Sequence, residues 1–413
     1  MIADTTTPVV VLTLLTGVAR SLGRLGVAVY GVKRRGSPHT RSTYVRKLLP
    51  WDVEGTPPEA TVEYLLAAAR RIEGRPILIA ADDASSMVVA DHADALADAF
   101  SFPRPPEGIA RALYSKRDMH ELCRRHDVPT PDTASLSSRA EAERFAERSG
   151  FPVVIKAIDA ARMVQAGGER TVIARDAQQM LAAYDRLEDP LEPNLIIQQY
   201  IPGGPDSVWM FDGYFDARSE CRFSAIGRKL RQHPPTTGVT SLGICEHNPE
   251  VEALTRRFMR DVGYVGALDC GWRWDARDGR YKLLDVNPRL GATFRLFVGA
   301  GGLDVVRTMY LDLTGQPVPP DRAPDGRRWQ AEDFDLVTLV RQRGSLSVRD
   351  WLRSLRGVDE RAWFAADDPL PFLAMAARLA GRGLTRSASA VRAAAADRQG
   401  GDDHAHDGRS VAD

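Results

Sequence analysis

The chain has 413 residues, with 55 basic and 55 acidic side chains and therefore a formal net charge of zero. That length is enough for two or three hydrophobic cores, and the neutral balance gives no footing for a polyanion, so nucleic acid is not an expected partner. The four cysteines, Cys123, Cys221, Cys245 and Cys270, lie without paired spacing, which argues against a zinc site or a disulfide framework and for reduced thiols.

The first residues are acidic rather than basic, and the apolar run from Val9 to Leu15 is too short for a membrane span or a signal peptide. The expectation is a cytoplasmic protein with no membrane partner. Pro8 to Leu14 reads as an apolar strand, Gly17 to Leu25 as a helix and Val27 to Val32 as a second strand, a βαβ start. The turn Thr16-Gly17-Val18-Ala19-Arg20-Ser21-Leu22-Gly23 lacks the G-x-G-x-x-G spacing of a dinucleotide site, so an oxidoreductase is not indicated. Tyr44 to Pro50 follows as a strand, Pro58 to Glu73 as a helix, and Pro76 to Ala80 as a buried strand running into Asp82 and Asp83. Acids at the carboxyl end of a parallel strand stand where ligands bind in open α/β sheets, although capping the next helix is the commoner use of such residues.

Beyond the proline-stiffened Phe102 to Pro106, Tyr114 to Cys123 reads as an amphipathic helix carrying Lys116, which taken alone is one charge on a solvated face. Phe151 to Ile155 is a strand ending in Lys156, whose stem can be buried while its ammonium reaches solvent. Helices are expected near 138–149 and 176–187, with a loop over 159–170 between them. Leu195 to Gln199 reads as a strand continuing into Tyr200 and Ile201. In Gly227-Arg228-Lys229-Leu230-Arg231, strand alternation puts Arg228 and Leu230 on one face and Lys229 and Arg231 on the other.

Val265 to Trp274 and Tyr281 to Val286 read as two strands of a hairpin joined over 275–280. Asp285 and Asn287, two apart, project to one face, and folding the hairpin can bring Asp269 beside Asp285. Two carboxylates and an amide on adjacent strands repel unless a cation lies among them, and oxygen donors of this kind suit magnesium. Pro288 stops the strand, and Arg289 can turn its fork onto a phosphate. A buried strand ending in an Asn-Pro turn is the plainer reading of the same residues.

Taken together, these segments resemble the ATP-grasp superfamily, in particular its bacterial carboxylate-amine ligases related to D-aspartate ligase and the amino acid ligases. The resemblance implies an α/β protein with α+β grasp lobes. It would comprise a Rossmann-like pre-ATP-grasp domain over 1–106, a small lobe with its opening helix over 107–190 and a large lobe with the metal hairpin over 191–320. A helical extension over 321–386 and a disordered tail over 387–413 would follow. It implies ATP as a substrate, with Lys116 and Lys156 on its phosphates. Gln198, Gln199, Tyr200 and Ile201 would lie along the adenine, and Asp206 on the ribose. It implies magnesium, or manganese, on Asp269, Asp285 and Asn287. Arg289, Arg228, Lys229 and Arg231 would neutralise charge during the reaction. Asp285 stands where the family usually has Glu, and Gln198 where its linker usually has an acid.

The implied reaction is amide or peptide bond formation through an acyl phosphate, releasing ADP and phosphate, between a small carboxylate and an amine such as an amino acid. A homodimer is common among such enzymes. A carboxylase or a kinase on the same fold, and an ATP-binding regulator without turnover, are the alternatives. His404 and His406 read as tail residues rather than metal ligands.

Overall fold

A computed structural model describes residues 2–159, 162–163, 166–234, 238–341 and 346–381. The expected tail over 387–413, with His404 and His406, and part of the expected loop over 159–170 lie outside the described residues.

The chain begins with a parallel sheet of four strands in the order β3-β2-β1-β4, with β1 at Val9–Leu12, β2 at Val29–Lys33, β3 at Val45–Pro50 and β4 at Ile77–Ala80. All four residues of β1 are buried because both faces of the sheet are covered. Val9 and Val11 pack with α1, Thr16–Gly23, while Val10 and Leu12 face the opposite core with α2, Pro58–Ala69. Helix α3, Asp83–Asp91, starts at an Asp82 cap whose side chain accepts from the Ser85 amide at 2.8 Å, so Asp82 takes the capping role. Helix α4 is Ala93–Ala97 and α5 is Ile109–Tyr114.

Ser115 caps α6, Lys116–Arg125, and so fixes Lys116 in its first turn. A small antiparallel sheet follows in the order β5-β8-β6-β7, with β5 at Thr133–Leu136, β6 at Val153–Ala157, β7 at Thr171–Ala174 and β8 at Leu195–Gln199. Its core is closed by α7, Arg139–Ser149, and α8, Ala177–Leu187.

A seven-stranded sheet, antiparallel except for the parallel pair β14 and β15, follows in the order β13-β12-β9-β10-β11-β14-β15. Its strands are β9 Val208–Phe215, β10 Cys221–His233, β11 Val239–Cys245, β12 Gly266–Asp275, β13 Arg280–Asn287, β14 Arg328–Gln330 and β15 Glu360–Arg361. Phe211, Phe215 and Leu268 fill one face under α9, Pro249–Asp261. Met210, Tyr214 and Ala267 point the other way and join one continuous core with Val9, Val11 and Ile79 of the parallel sheet and with α10, Val305–Leu313.

The C-terminal part adds α11, Glu332–Arg341, α12, Val348–Ser354, and a helix over 370–381. It does more than pack on the large sheet. Asp368, with no exposed surface, accepts from Arg20 Nε of α1 at 2.9 Å, so the chain's end locks onto its beginning. Among the described residues no helix is long and apolar enough to cross a membrane, and the four cysteines are free thiols.

Candidate active site

The site is built on three neighbouring strands. Asp212 of β9, Asp269 of β12 and Asn287 of β13 stand in one row across the sheet, because the register pairs Asp269 with both of the others. Asp285 lies one step along, opposite Gly271. The hairpin therefore forms as expected, but Asp269 meets Asn287 rather than Asp285 directly. Leu284 is the extra residue of a bulge in β13, which lets Leu283 point into the core while Asp285 and Asn287 share the acid face. Asn287 Nδ2 stands 3.3 Å from both Asp269 Oδ2 and Asp285 Oδ2. Among the described residues no cluster of three or more His, Cys, Asp or Glu could hold a metal. A cation beside Asn287 would take its amide oxygen and the carboxylates of Asp269 and Asp285, a donor set that fits magnesium.

The turn after β13 is pinned from the parallel-sheet side. Ser86 of α3 donates to the Pro288 carbonyl at 2.8 Å, and Asp83 accepts from Arg289 Nε at 2.6 Å. Arg289 Nη1 reaches Asp269 at 3.4 Å, so one guanidinium bridges a carboxylate at the start of α3 and one on β12. Burial opposes its charge, but Asp83 and Asp269 hold its pKa above the ordinary value. Burial raises the Asp269 carboxyl, against Arg289 and Lys229.

Asp212 carried no signal in the sequence beyond being a lone acid in an apolar strand. Its two carboxylate oxygens are buried without a hydrogen-bond partner, and burial followed by the charge of Asp269 pushes its pKa well above the carboxylate range. Gly291 passes directly over it: a Cβ there would lie 2.5 Å from Asp212 Oδ2 and 3.1 Å from Asp269 Cβ.

Two lysines converge from outside the large sheet, Lys116 from the first turn of α6 and Lys156 from the small sheet. Lys116 pairs with Asp285; burial lowers its pKa to about 8, against the pull of Asp83. Lys156, on β6, donates to Gln198 Oε1 at 2.7 Å, and Gln198 in turn donates to Thr133 Oγ1 at 3.0 Å. Burial, then the nearby Lys116, lowers Lys156 to about 7. One ammonium is paired with Asp285 and the other only with a neutral amide, and the two lie close enough to repel, an arrangement that suits an added anion.

No family model matches the chain. It is 23% identical over 245 residues to a D-aspartate ligase of Enterococcus faecium, a match covering 57% of this chain and 58% of that one. The match thus spans less than two thirds of the relative's length. Solved structures overlap far more of the chain. The biotin carboxylase domain of Hydrogenobacter thermophilus 2-oxoglutarate carboxylase, crystallised with magnesium ADP and bicarbonate, superposes with a TM-score of 0.60 at 15% identity, over 79% of this chain and 74% of that one. An L-amino acid ligase from Bacillus licheniformis gives 0.58 at 13% identity, over 77% and 78%. The chain has the ATP-grasp fold.

Within this ATP-grasp fold the other expected residues divide. Lys229 stays on the acid face: it donates to the Gly238 carbonyl at 2.9 Å, and burial pushes its pKa down against the pull of Asp269. Arg228, on the opposite face of the sheet, donates to Glu246 at 2.8 and 2.6 Å and lies over the Trp209 ring at 5.5 Å. A bulge at Leu230 breaks the alternation expected of Lys229 and Arg231. Arg231 is instead held in a two-pronged contact with buried Asp335 at 2.8 and 2.9 Å and donates to Ser354 at 2.7 Å. Neither arginine is brought to the acid row.

Arg231→Ala is therefore expected to destabilise the protein by about 1–3 kcal/mol, because Asp335 loses its charged partner but keeps Ser241, Gln330 and Trp351 as donors. Turnover by the folded fraction should change no more than about threefold, within the usual reach of a substitution away from the reacting groups. Urea denaturation beside initial rates checks this; a large rate loss at unchanged stability would contradict it.

Of the linker residues, Gln198 and Ile201 are buried and Gln199 and Tyr200 half-buried. The Gln199 amide is used by the Asp132 carbonyl at 2.8 Å, whereas the Ile201 backbone makes no hydrogen bond among the described residues. Tyr200 lies under Arg273 at 5.8 Å, and Asp206 faces the same guanidinium electrostatically.

Proposed function

We propose that this protein is an ATP-dependent carboxylate-amine ligase that joins a small acid to an amine through an acyl phosphate. The observation that carries the reading is the convergence of the Asp269, Asn287 and Asp285 row with Arg289, Lys116 and Lys156 from three separate parts of the chain. A row of acids facing a cluster of cations suits a metal-bound polyphosphate, which satisfies both at once.

The substrate carboxylate attacks the γ-phosphorus of ATP; the bond to the bridging oxygen breaks and ADP leaves. An amine nitrogen then attacks the acyl carbon, inorganic phosphate leaves, and the nitrogen loses its proton. Both partners of the first step are anions, so the burden on the protein is charge neutralisation and alignment. Lys156, oriented by Gln198, would hold the α and β phosphates, Lys116 would leave Asp285 for phosphate, and Arg289 and Lys229 would face the transferring group. The free Ile201 backbone would meet the adenine edge, with Tyr200 and Gln199 flanking it and Asp206 on the ribose. Magnesium on Asp269, Asp285 and Asn287 would draw charge off the phosphate oxygens. A homodimer and a cytoplasmic setting accompany this reading.

Phosphate release from Mg-ATP, measured across acids and amines offered singly and in pairs, tests it. Release that requires a pair supports ligation; release with bicarbonate alone would make it a carboxylase, and a stable phosphorylated product a kinase.

The lysines give a pH prediction. Lys156 sits at about 7 in the folded protein against an ordinary 10.5, so the unfolded chain binds more protons between those values. The penalty for charging it is complete below about pH 7, and its relief should raise ligand-free stability as pH climbs through that window. Nucleotide phosphates favour the ammonium, so ATP binding near pH 8.5 is expected to take up protons, and affinity to weaken as pH rises above about 7. Calorimetry in two buffers of different ionisation enthalpy reads the uptake, which Lys156→Met should reduce; equal heats in the two buffers would contradict it.

A further inference from the structure

Arg273 of β12 carries a guanidinium that forms no ion pair among the described residues, although only 9% of the residue is exposed. Its Nη2 donates to the Gly203 carbonyl, the group lies over the Tyr200 ring at 5.8 Å, and its Nε is buried without an acceptor. The nearest acid along the strand, Asp275, is already taken by Arg277 and Lys282, each at 2.7 Å. Asp206 is exposed and acts on Arg273 only through its charge. A carbonyl and a ring face compensate a buried cation in part, and an anion would complete it.

The position of Arg273 on the strand says which anion. Leu268, Cys270 and Trp272 point into the core under α9, so Asp269, Gly271 and Arg273 share the opposite face. The pairing of β12 with β9 runs without a bulge from Gly266 to Arg273, which keeps that alternation intact. Asp285 stands opposite Gly271, and Arg273 is the next position on the acid face, about 7 Å further along the strand, where the linker's Gly203 meets it. Two more cations gather there. Burial, then Lys116 and Arg273, lower the pKa of Lys156; burial and Arg273 lower that of Lys229 against the pull of Asp269. Neither lysine forms an ion pair among the described residues. Three mutually repelling cations from β6, β10 and β12 therefore surround one place beyond the acid row.

Resting on the nucleotide placement proposed above, we infer that Arg273 is a nucleotide-binding residue that donates to the α-phosphate of ATP with the edge of its fork not given to Gly203. The acid row lies at the metal and the far phosphates, and the linker at the adenine, so the first phosphate falls between them, at Arg273 and Lys156. The ribose hydroxyls are neutral and would leave the charge of Arg273 unbalanced. Because the same guanidinium holds Gly203 and faces Tyr200, it sets the linker and the phosphate in one register.

The test is the affinity of the full-length protein for adenosine, AMP, ADP and ATP, measured by calorimetry on the unaltered protein and on Arg273→Met and Arg273→Lys. Arg273→Met should weaken AMP, ADP and ATP at least about tenfold, the size of one charged hydrogen bond, and leave adenosine within about threefold. Arg273→Lys keeps the cation without the fork and should recover part of the AMP affinity; if the Met variant folds poorly, the contrast between AMP and adenosine in the Lys variant still decides. An equal loss for adenosine and AMP would overturn the inference, since Arg273 would then act through the linker alone. Unchanged AMP binding in both variants would overturn it as well. Unaltered protein that binds none of the four would overturn this role and the ATP reading together, whereas phosphate release with bicarbonate alone would overturn ligation and leave Arg273 in place.

Discussion

Asp285→Ala is expected to lower paired-substrate phosphate release at least about 10³-fold, the equivalent of losing roughly 4 kcal/mol of transition-state stabilisation. Its effect on the folded protein should be small, a shift in melting temperature of at most about 2 °C. The two expectations separate because of where Asp285 stands. Its side chain is 39% exposed and its ion pair with Lys116 is open to solvent on one side, so breaking the pair costs little. The substitution also relieves repulsion with Asp269, whose own carboxyl is already pushed up by burial. In turnover, by contrast, the row of Asp269, Asn287 and Asp285 would lose one of its two charged donors, and nothing nearby on β13 replaces it. Rates and melting curves on one preparation check both halves. A variant that keeps more than about a tenth of the rate would remove Asp285 from the chemistry, since one tenfold step is only ~1.4 kcal/mol.

Asp368→Ala should do the opposite, destabilising the protein by about 3–5 kcal/mol because it strands a buried arginine. Asp368 has no exposed surface and Arg20 only 2%. The carboxylate accepts from Arg20, from Ser42 Oγ at 2.7 Å and from the Thr43 amide at 2.9 Å, joining α1, the segment before β3 and the C-terminal part of the chain. The neighbouring Asp367 makes a similar contact with Arg24, but with 47% and 29% of the two side chains exposed, so Asp367→Ala should cost less than about 1 kcal/mol. Urea midpoints of the two variants give the comparison. Equal losses would mean that burial does not set the strength of this clasp.

The parts of this molecule that repeat a local physical pattern could be read from the chain. Four apolar residues in a row announced β1, Asp82 announced the start of α3, and the hairpin carrying Asp269 and Asp285 followed from two apolar runs around a polar turn. What depended on a single extra residue could not. The bulges at Leu284 and Leu230 have no composition of their own, yet the first decides that Asp285 faces the acid row and the second that Arg231 leaves it. Arg228 and Arg231 looked like phosphate ligands because partners such as Glu246 and Asp335 are distant in sequence. The same distance hid the clasp between Arg20 and Asp368 and the contact between Asp83 and Arg289. Asp212 was invisible for a different reason: a lone acid in an apolar strand acquires meaning only when its neighbours across the sheet are known.

The most direct test of the acyl phosphate is the fate of oxygen. With an acid substrate labelled with ¹⁸O in its carboxylate, turnover in the presence of an amine should deliver one labelled oxygen to the released phosphate and leave the other in the amide. Phosphate that carries no label, with both labelled oxygens still on the acid, would contradict activation of the carboxylate by phosphoryl transfer.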